Sequence, residues 1–197
     1  MRRNAIRHNT GGAFDPGAAL AFSARRNGGP PGLDDIEITD ALVPGALGRL
    51  IEMHALYYAR DWGFGAYFET RVAREAADFA SALPREDSRF WFALRGGRVI
   101  GSIAIDGRKA AGTGAHLRWF ILDGSSRGGG VGAVLLDAAL AFCRARKFPR
   151  VHLSTFAGLD AARKLYEARG FRLVEESEAD TWGVTVREQR FELSGSA

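Results

Sequence analysis

The stretch Arg127-Gly128-Gly129-Gly130-Val131-Gly132 concentrates backbone chemistry in a short space. It lies between an apolar run, His116–Asp123, and an amphipathic one in which Val131, Leu135, Leu136, Ala139, Leu140 and Cys143 share a face. Glycines there leave the amide N–H groups unscreened by a Cβ. The first N–H groups of the helix, at Val131, Gly132 and Ala133, have no partner inside it. The helix dipole puts partial positive charge at the same place. Together they make a cradle for a phosphate or pyrophosphate. Arg127 adds a full charge and a planar donor fork. The spacing is neither the G-x-x-x-x-G-K-[ST] of a nucleoside-triphosphate loop nor the G-x-G-x-x-G of a dinucleotide fold.

Other candidates surround this cradle. Tyr57, Tyr58, Trp62, Phe64, Tyr67 and Phe68 fall within twelve positions and can wall an apolar or cation-binding pocket. Glu175, Glu176, Glu178 and Asp180 read as an acidic loop, with Trp182 beside it as a cap. Arg118 alternates onto the strand face of Phe120 and Leu122 and is placed near a cleft. His8, His54, His116 and His152 show no metal-ligand spacing. Cys143, the sole cysteine, rules out an intrachain disulfide and a cysteine-based zinc site, and its apolar helix face makes it an inert core residue.

The elements that must position these groups follow from periodicity. Ile36–Thr39 alternates as a short strand; Pro44 opens a helix that ends near Trp62-Gly63. A second helix carries Val72, Ala76, Phe79, Ala80 and Leu83 and stops at Pro84. Arg89–Arg95 and Arg98–Asp106 form a hairpin about Gly96-Gly97. A third strand, His116–Asp123, precedes the glycines and a long helix follows them. Arg150–Thr155 is a strand, Asp160–Arg169 a helix stopped by Gly170, and Phe171–Glu175 and Val184–Phe191 are the last two strands. The order is that of an α/β fold with a mixed sheet of about seven strands and about four helices.

The chain has 197 residues, a length suited to one domain with a tail. It contains no apolar run long enough for a transmembrane helix and no apolar segment of a secretory signal, so a cytoplasmic location and no membrane partner are expected. Residues 1–33 hold five arginines against Asp15 and account for the whole net charge of +4. They read as a disordered basic leader, with 34–197 as the folded domain. A neutral body speaks against nucleic acid as a partner.

Two motifs now combine. Arg127-Gly128-Gly129-Gly130-Val131-Gly132 resembles the R/Q-x-x-G-x-G/A signature of the GNAT N-acetyltransferases, and Ala162…Leu165-Tyr166-Glu167…Gly170-Phe171 resembles the A-x-x-L-Y-x-x-x-G-F that ends their domain. The element order matches over about residues 35–193. The wording of HLRWFILD, ALAFCRARKF and STFAGLDAARKLYEARGF resembles the acetyltransferase half of bacterial proteins that fuse a MarR-type regulator to a GNAT domain, although no helix-turn-helix pattern precedes it here.

The resemblance implies a GNAT-like, mostly antiparallel sheet whose central strands splay, and acetyl-CoA as acyl donor with no metal. The pyrophosphate would lie on Arg127, Gly128, Gly129, Gly130, Val131, Gly132 and Ala133, and the pantetheine arm on the main chain of Phe120, Ile121 and Leu122. Tyr166 matches the position of the family's proton donor to the leaving thiolate. The acetyl group would pass directly, in a ternary complex, to an amine on a small molecule or a protein. Tyr58, Trp62, Phe64, Arg118 and Trp182 are the acceptor-side candidates. The glutamate that some members carry seven residues before the signature is Phe120 here, which leaves Asp61, Glu69, Asp106 and Asp123 as candidate bases. Leu159 stands where relatives often have a cofactor-holding asparagine. A homodimer, common in the family, stays open. Two rival readings also stand: a non-catalytic acyl-CoA-binding regulatory domain, and a nucleic-acid-associated module using the basic leader.

Overall fold

A computed structural model describes Leu33 and residues 35–195; the expected basic leader otherwise lies outside the described residues. The elements run β1 (Ile36–Thr39), α1 (Ala46–Trp62), α2 (Ala66–Ser81), β2 (Ser88–Arg95), β3 (Arg98–Asp106), β4 (Ala115–Leu122), α3 (Val131–Ala145), β5 (Arg150–Phe156), α4 (Asp160–Glu167), β6 (Arg172–Ala179) and β7 (Val186–Ser194). The strands form one sheet in the order β1-β2-β3-β4-β5-β7-β6. Neighbours are antiparallel apart from β4 and β5, which run parallel. This is the seven-stranded mixed sheet with four helices that the sequence predicts.

Helices cover both faces, and β2 shows why. Phe90, Phe92 and Leu94 point into a cluster with Leu50, Met53, Phe68, Val72 and Phe79 of α1 and α2. Trp91 and Ala93, one residue out of phase, join Leu135, Leu136, Ala139 and Cys143 of α3. A strand buried on both sides reads as a continuous apolar run, as SRFWFALR does. Burying one such phenylalanine contributes about 2 kcal/mol. Burial also pushes the Cys143 thiol up to about 12, which leaves it unreactive.

Several strand ends shift by one to three residues from the sequence reading, and three other differences are more informative. Helix α1 starts at Ala46 rather than Pro44, because Gly45 at φ 85° turns the chain into it. Helix α4 ends at Glu167, two residues early. The acidic loop is largely a strand: Glu175, Glu176 and Glu178 lie on β6 in register with Arg190, Gln189 and Arg187 of β7.

Candidate active site

The sheet comes apart where the chemistry is expected. Strands β4 and β5 pair at Ala115↔Val151 and His116↔His152 and nowhere further along. Beyond that point Leu117–Leu122 and Leu153–Phe156 face each other across a cavity of about 710 Å³. Backbone groups on the parted edges need partners, and an amide-containing ligand arm can supply them.

β4 also carries a bulge. Its register against β3 slips between Ser102 and Ala104, and Trp119 sits at φ 47°. The Ser102 hydroxyl, fully buried, donates a 2.9 Å hydrogen bond to the Trp119 carbonyl and holds the bulge. The extra residue resets the alternation. Arg118 therefore does not share a face with Phe120 and Leu122, as simple alternation predicts. Phe120 and Leu122 pack toward α3, whereas Trp119 and Ile121 pack toward α1 and α2. Arg118 goes with the latter pair: its guanidinium lies 4.1 Å from the Trp119 ring centroid and bonds Glu75 of α2.

The glycine bend delivers an open helix end. Gly128 and Gly130 adopt φ 78° and 83°, where a side chain would be strained. Gly130 is the N-cap of α3, no side chain caps that end, and its first turn holds no acid. The free N–H groups and the dipole are thus available to an anion. Gly132 is small for a different reason: a Cβ there would lie 3.2 Å from Leu122 and 3.3 Å from Phe120. The Arg127 guanidinium lies 3.9 Å from the Tyr57 ring centroid and donates to the Leu122 carbonyl at 3.4 Å.

Phe120, Ile121, Leu122, Arg127, Gly128, Gly130, Gly132 and Ala133 all line the cavity. Gly129 and Val131 do not. Val131 faces inward, 1% exposed, because the helix starting there turns its apolar stripe to the sheet. Leu159 caps α4 without a side-chain hydrogen bond and lines the cavity too.

Tyr166 projects from α4 into the cavity and is 5% exposed, with Phe120, Phe171 and Phe191 around its ring. Burial, with the Tyr58 phenol adding to it, raises its pKa well above the ordinary range, so the phenol keeps its proton. Tyr58, across the cavity, is raised by burial and by Tyr57 against an opposing pull from Arg127.

Of the acceptor-side candidates, Tyr58, Arg118 and Trp182 line the cavity, and Trp62 and Phe64 do not. Trp62 packs edge-on to Phe156 at 4.7 Å and fills the space over Gly158, where a Cβ would lie 2.3 Å from the indole. Phe64 is buried between Tyr58, Phe68 and Phe156. Sequence density of aromatics does not distinguish wall from core. None of the four candidate bases lines the cavity. Asp61 is held by Arg60 at 2.6 and 2.9 Å, Asp106 by Arg108 at 2.8 and 2.5 Å, and Asp123 by Arg49 and Ser125.

The sequence assigns no role to several groups in or beside the cavity. Arg71 bonds Glu75 at 2.8 Å, so Glu75 bridges two guanidiniums, those of Arg71 and Arg118. His54 is buried and its Nδ1–H donates to the Leu50 carbonyl at 2.8 Å; burial lowers its pKa to about 4. His116 and His152, far apart in sequence, stack across the β4/β5 pair with ring centroids 4.5 Å apart at 14°. Nothing local in the sequence signals that stack, since it follows from the parallel register.

Comparison with known proteins now decides the family. The model of the acetyltransferase (GNAT) family matches residues 49–171, which covers the parted strands, the glycine bend and α4. The chain belongs to the GNAT acetyltransferase family. Among curated relatives, an N-acetylaspartate synthetase of Danio rerio is 33% identical over 129 residues, 65% of this chain and 45% of that protein. This GNAT chain thus spans about half the length of the curated relatives it matches. Among solved structures, an acetyltransferase from Streptococcus agalactiae superposes with TM-score 0.61 at 23% identity, over 81% of this chain and 98% of that one. A Bacillus anthracis chain solved in complex with acetyl coenzyme A superposes with TM-score 0.51 at 20% identity, over 60% and 69%. Both likenesses concern the fold.

Proposed function

We propose that this GNAT chain transfers an acetyl group from acetyl-CoA to the primary amine of an acidic amino acid, directly and within a ternary complex. The observation that carries the reading is the gap between β4 and β5, which runs onto the uncapped N-terminus of α3. The residues present fit the donor: Gly128, Gly130, Gly132 and Arg127 meet its diphosphate, and the free edge of Phe120–Leu122 meets its amide arm. A backbone N–H near the bulge stabilises the oxyanion that forms at the thioester carbon. Tyr166, held protonated, gives its proton to the departing thiolate.

The acceptor enters on the side of α1, α2 and Trp182. Arg71 and Arg118 stand there as planar donors suited to carboxylates. The relatives named N-acetylaspartate synthetase point the same way, since aspartate is a primary amine carrying two carboxylates.

The test is turnover of acetyl-CoA with a panel of amines, read as free thiol. Aspartate or glutamate should be acetylated in preference to neutral and basic amines of the same size. Acetyl-CoA at about 100 times its Kd should stabilise the fold by about 2.7 kcal/mol. Stabilisation without turnover of any amine would favour the regulatory reading instead.

A further inference from the structure

The acetyl-transfer reading leaves one part of the cavity unused: the closed end of the gap, where His116 and His152 stack. An acceptor amine in water is an ammonium and must lose a proton before it can attack. The carboxylates that line the cavity are already engaged or sit in a helix turn. Glu75 is shared by Arg71 and Arg118, Glu188 accepts from the Thr181 N–H at 3.2 Å, and Asp160 lies in the first turn of α4. His116 lines the same cavity, and no group among the described residues hydrogen-bonds its ring. His152 behind it is buried, with Nδ1 unpartnered.

We propose that His116 is the base that takes the proton from the acceptor's ammonium, an assignment that rests on the acetyl-transfer reading above. It sits two residues before Arg118 on the regular part of β4, so both side chains lie on the face toward α2, in front of the bulge. Its Cα partner on β3 is Asp106.

In the empty site the surroundings keep the imidazole neutral but weakly basic, so it needs the acceptor's own charge to act. Burial is the main cause, followed by Arg118 and His152, with Asp106 opposing and Arg190 of β7 adding; together they hold the ring at about 3. His152 is held at about 4 by burial and Arg190, with Glu192 opposing and Arg150 adding. Glu75 of α2 reaches this group through Arg118. An acceptor carboxylate seated against Arg118 cancels part of that guanidinium's field and makes His116 a stronger base. Deprotonation is thereby coupled to recognition of an acidic acceptor.

The step balances. The imidazole takes one N–H proton, the nitrogen lone pair forms the C–N bond, and the C–S bond breaks. The sulfur takes the Tyr166 proton, and Tyr166 recovers one from the nitrogen that becomes the amide. His116 then releases its proton to water.

The test compares wild type, His116→Gln and His116→Glu over a pH series with aspartate as acceptor, with acetyl-CoA thermal stabilisation as the check on folding. For His116→Gln we expect kcat to fall by about a hundredfold or more at neutral pH. The loss should shrink as pH approaches the amine's own pKa, with the KM for acetyl-CoA unchanged. His116→Glu, which restores a base, should recover activity with its acidic limb moved. A folded His116→Gln with the wild-type pH profile, a loss equal at every pH, or a folded but inactive His116→Glu would overturn the assignment. Should His116→Gln not fold, the profile of His116→Glu alone decides it. If wild type binds acetyl-CoA and acetylates no amine, the acetyl-transfer reading fails; if wild type turns over and the variants match it, only His116 is wrong.

Discussion

At the scale of single residues, Tyr166 and Arg118 carry the sharpest consequences. Removing the Tyr166 hydroxyl takes away a proton donor and little packing, because the ring contacts with Phe120, Phe171 and Phe191 remain. Tyr166→Phe should therefore lower kcat by about a hundredfold or more and leave acetyl-CoA affinity nearly unchanged, measured by turnover beside a thermal shift. Arg118→Lys keeps the charge and loses the planar fork. It should raise the KM for an acidic acceptor more than tenfold with little effect on the KM for acetyl-CoA, as steady-state kinetics would show. Tyr166 was legible in the sequence because its motif is short and local. The role of Glu75 was not, because it depends on α2 crossing the bulged part of β4.

At the scale of elements, the bulge in β4 organises the cleft. Ser102→Ala leaves the buried Trp119 carbonyl without its hydroxyl partner. The expected cost is about 1–3 kcal/mol in denaturant unfolding, with a fall in kcat as the strand edge loses its shape. The glycine bend and α3 were readable because each is a local pattern: a run without Cβ atoms followed by an apolar stripe. The bulge was not, because alternation carries no mark of a skipped residue and Trp119 is an ordinary strand former. The second half of strand β6, beyond Glu175, reads as loop for another reason. It lies at the sheet edge with both faces exposed, so no alternation betrays it, and its glutamates look like loop. Charge along an exposed edge discourages pairing with another chain, which gives those residues a structural use.

At the scale of the whole molecule, three histidines are held neutral inside the fold: His54, His116 and His152 at about 4, 3 and 4, chiefly by burial. In the unfolded chain each titrates near 6.5. Between about pH 6.5 and 4 the unfolded chain binds more protons than the native one, so stability falls as pH falls through that window. For the fully buried His54 the effect is on the order of 3 kcal/mol. His54→Asn, which keeps a donor for the Leu50 carbonyl, should flatten the dependence of Tm on pH there, as calorimetry at a series of pH values would reveal. The expected order of elements held across the described chain because it rests on periodicity summed over many residues. The stacking of His116 on His152 did not follow from it, since parallel register is set by the crossover through α3.

The gap between β4 and β5 has a mechanical corollary. Two residue pairs are all that ladder the β1–β4 half of the sheet to the β5–β7 half. Along the rest of the seam, the amides that point into the gap, away from β3 and β7, have no strand to shield them, so they should trade hydrogen for deuterium quickly in the ligand-free protein. A thioester donor threaded into that seam would act as a rivet, and its arrival should slow exchange along Leu117–Leu122 and Leu153–Phe156 together. Loading would thereby stiffen the seam, while the cores on both faces of the sheet hold its two halves together throughout.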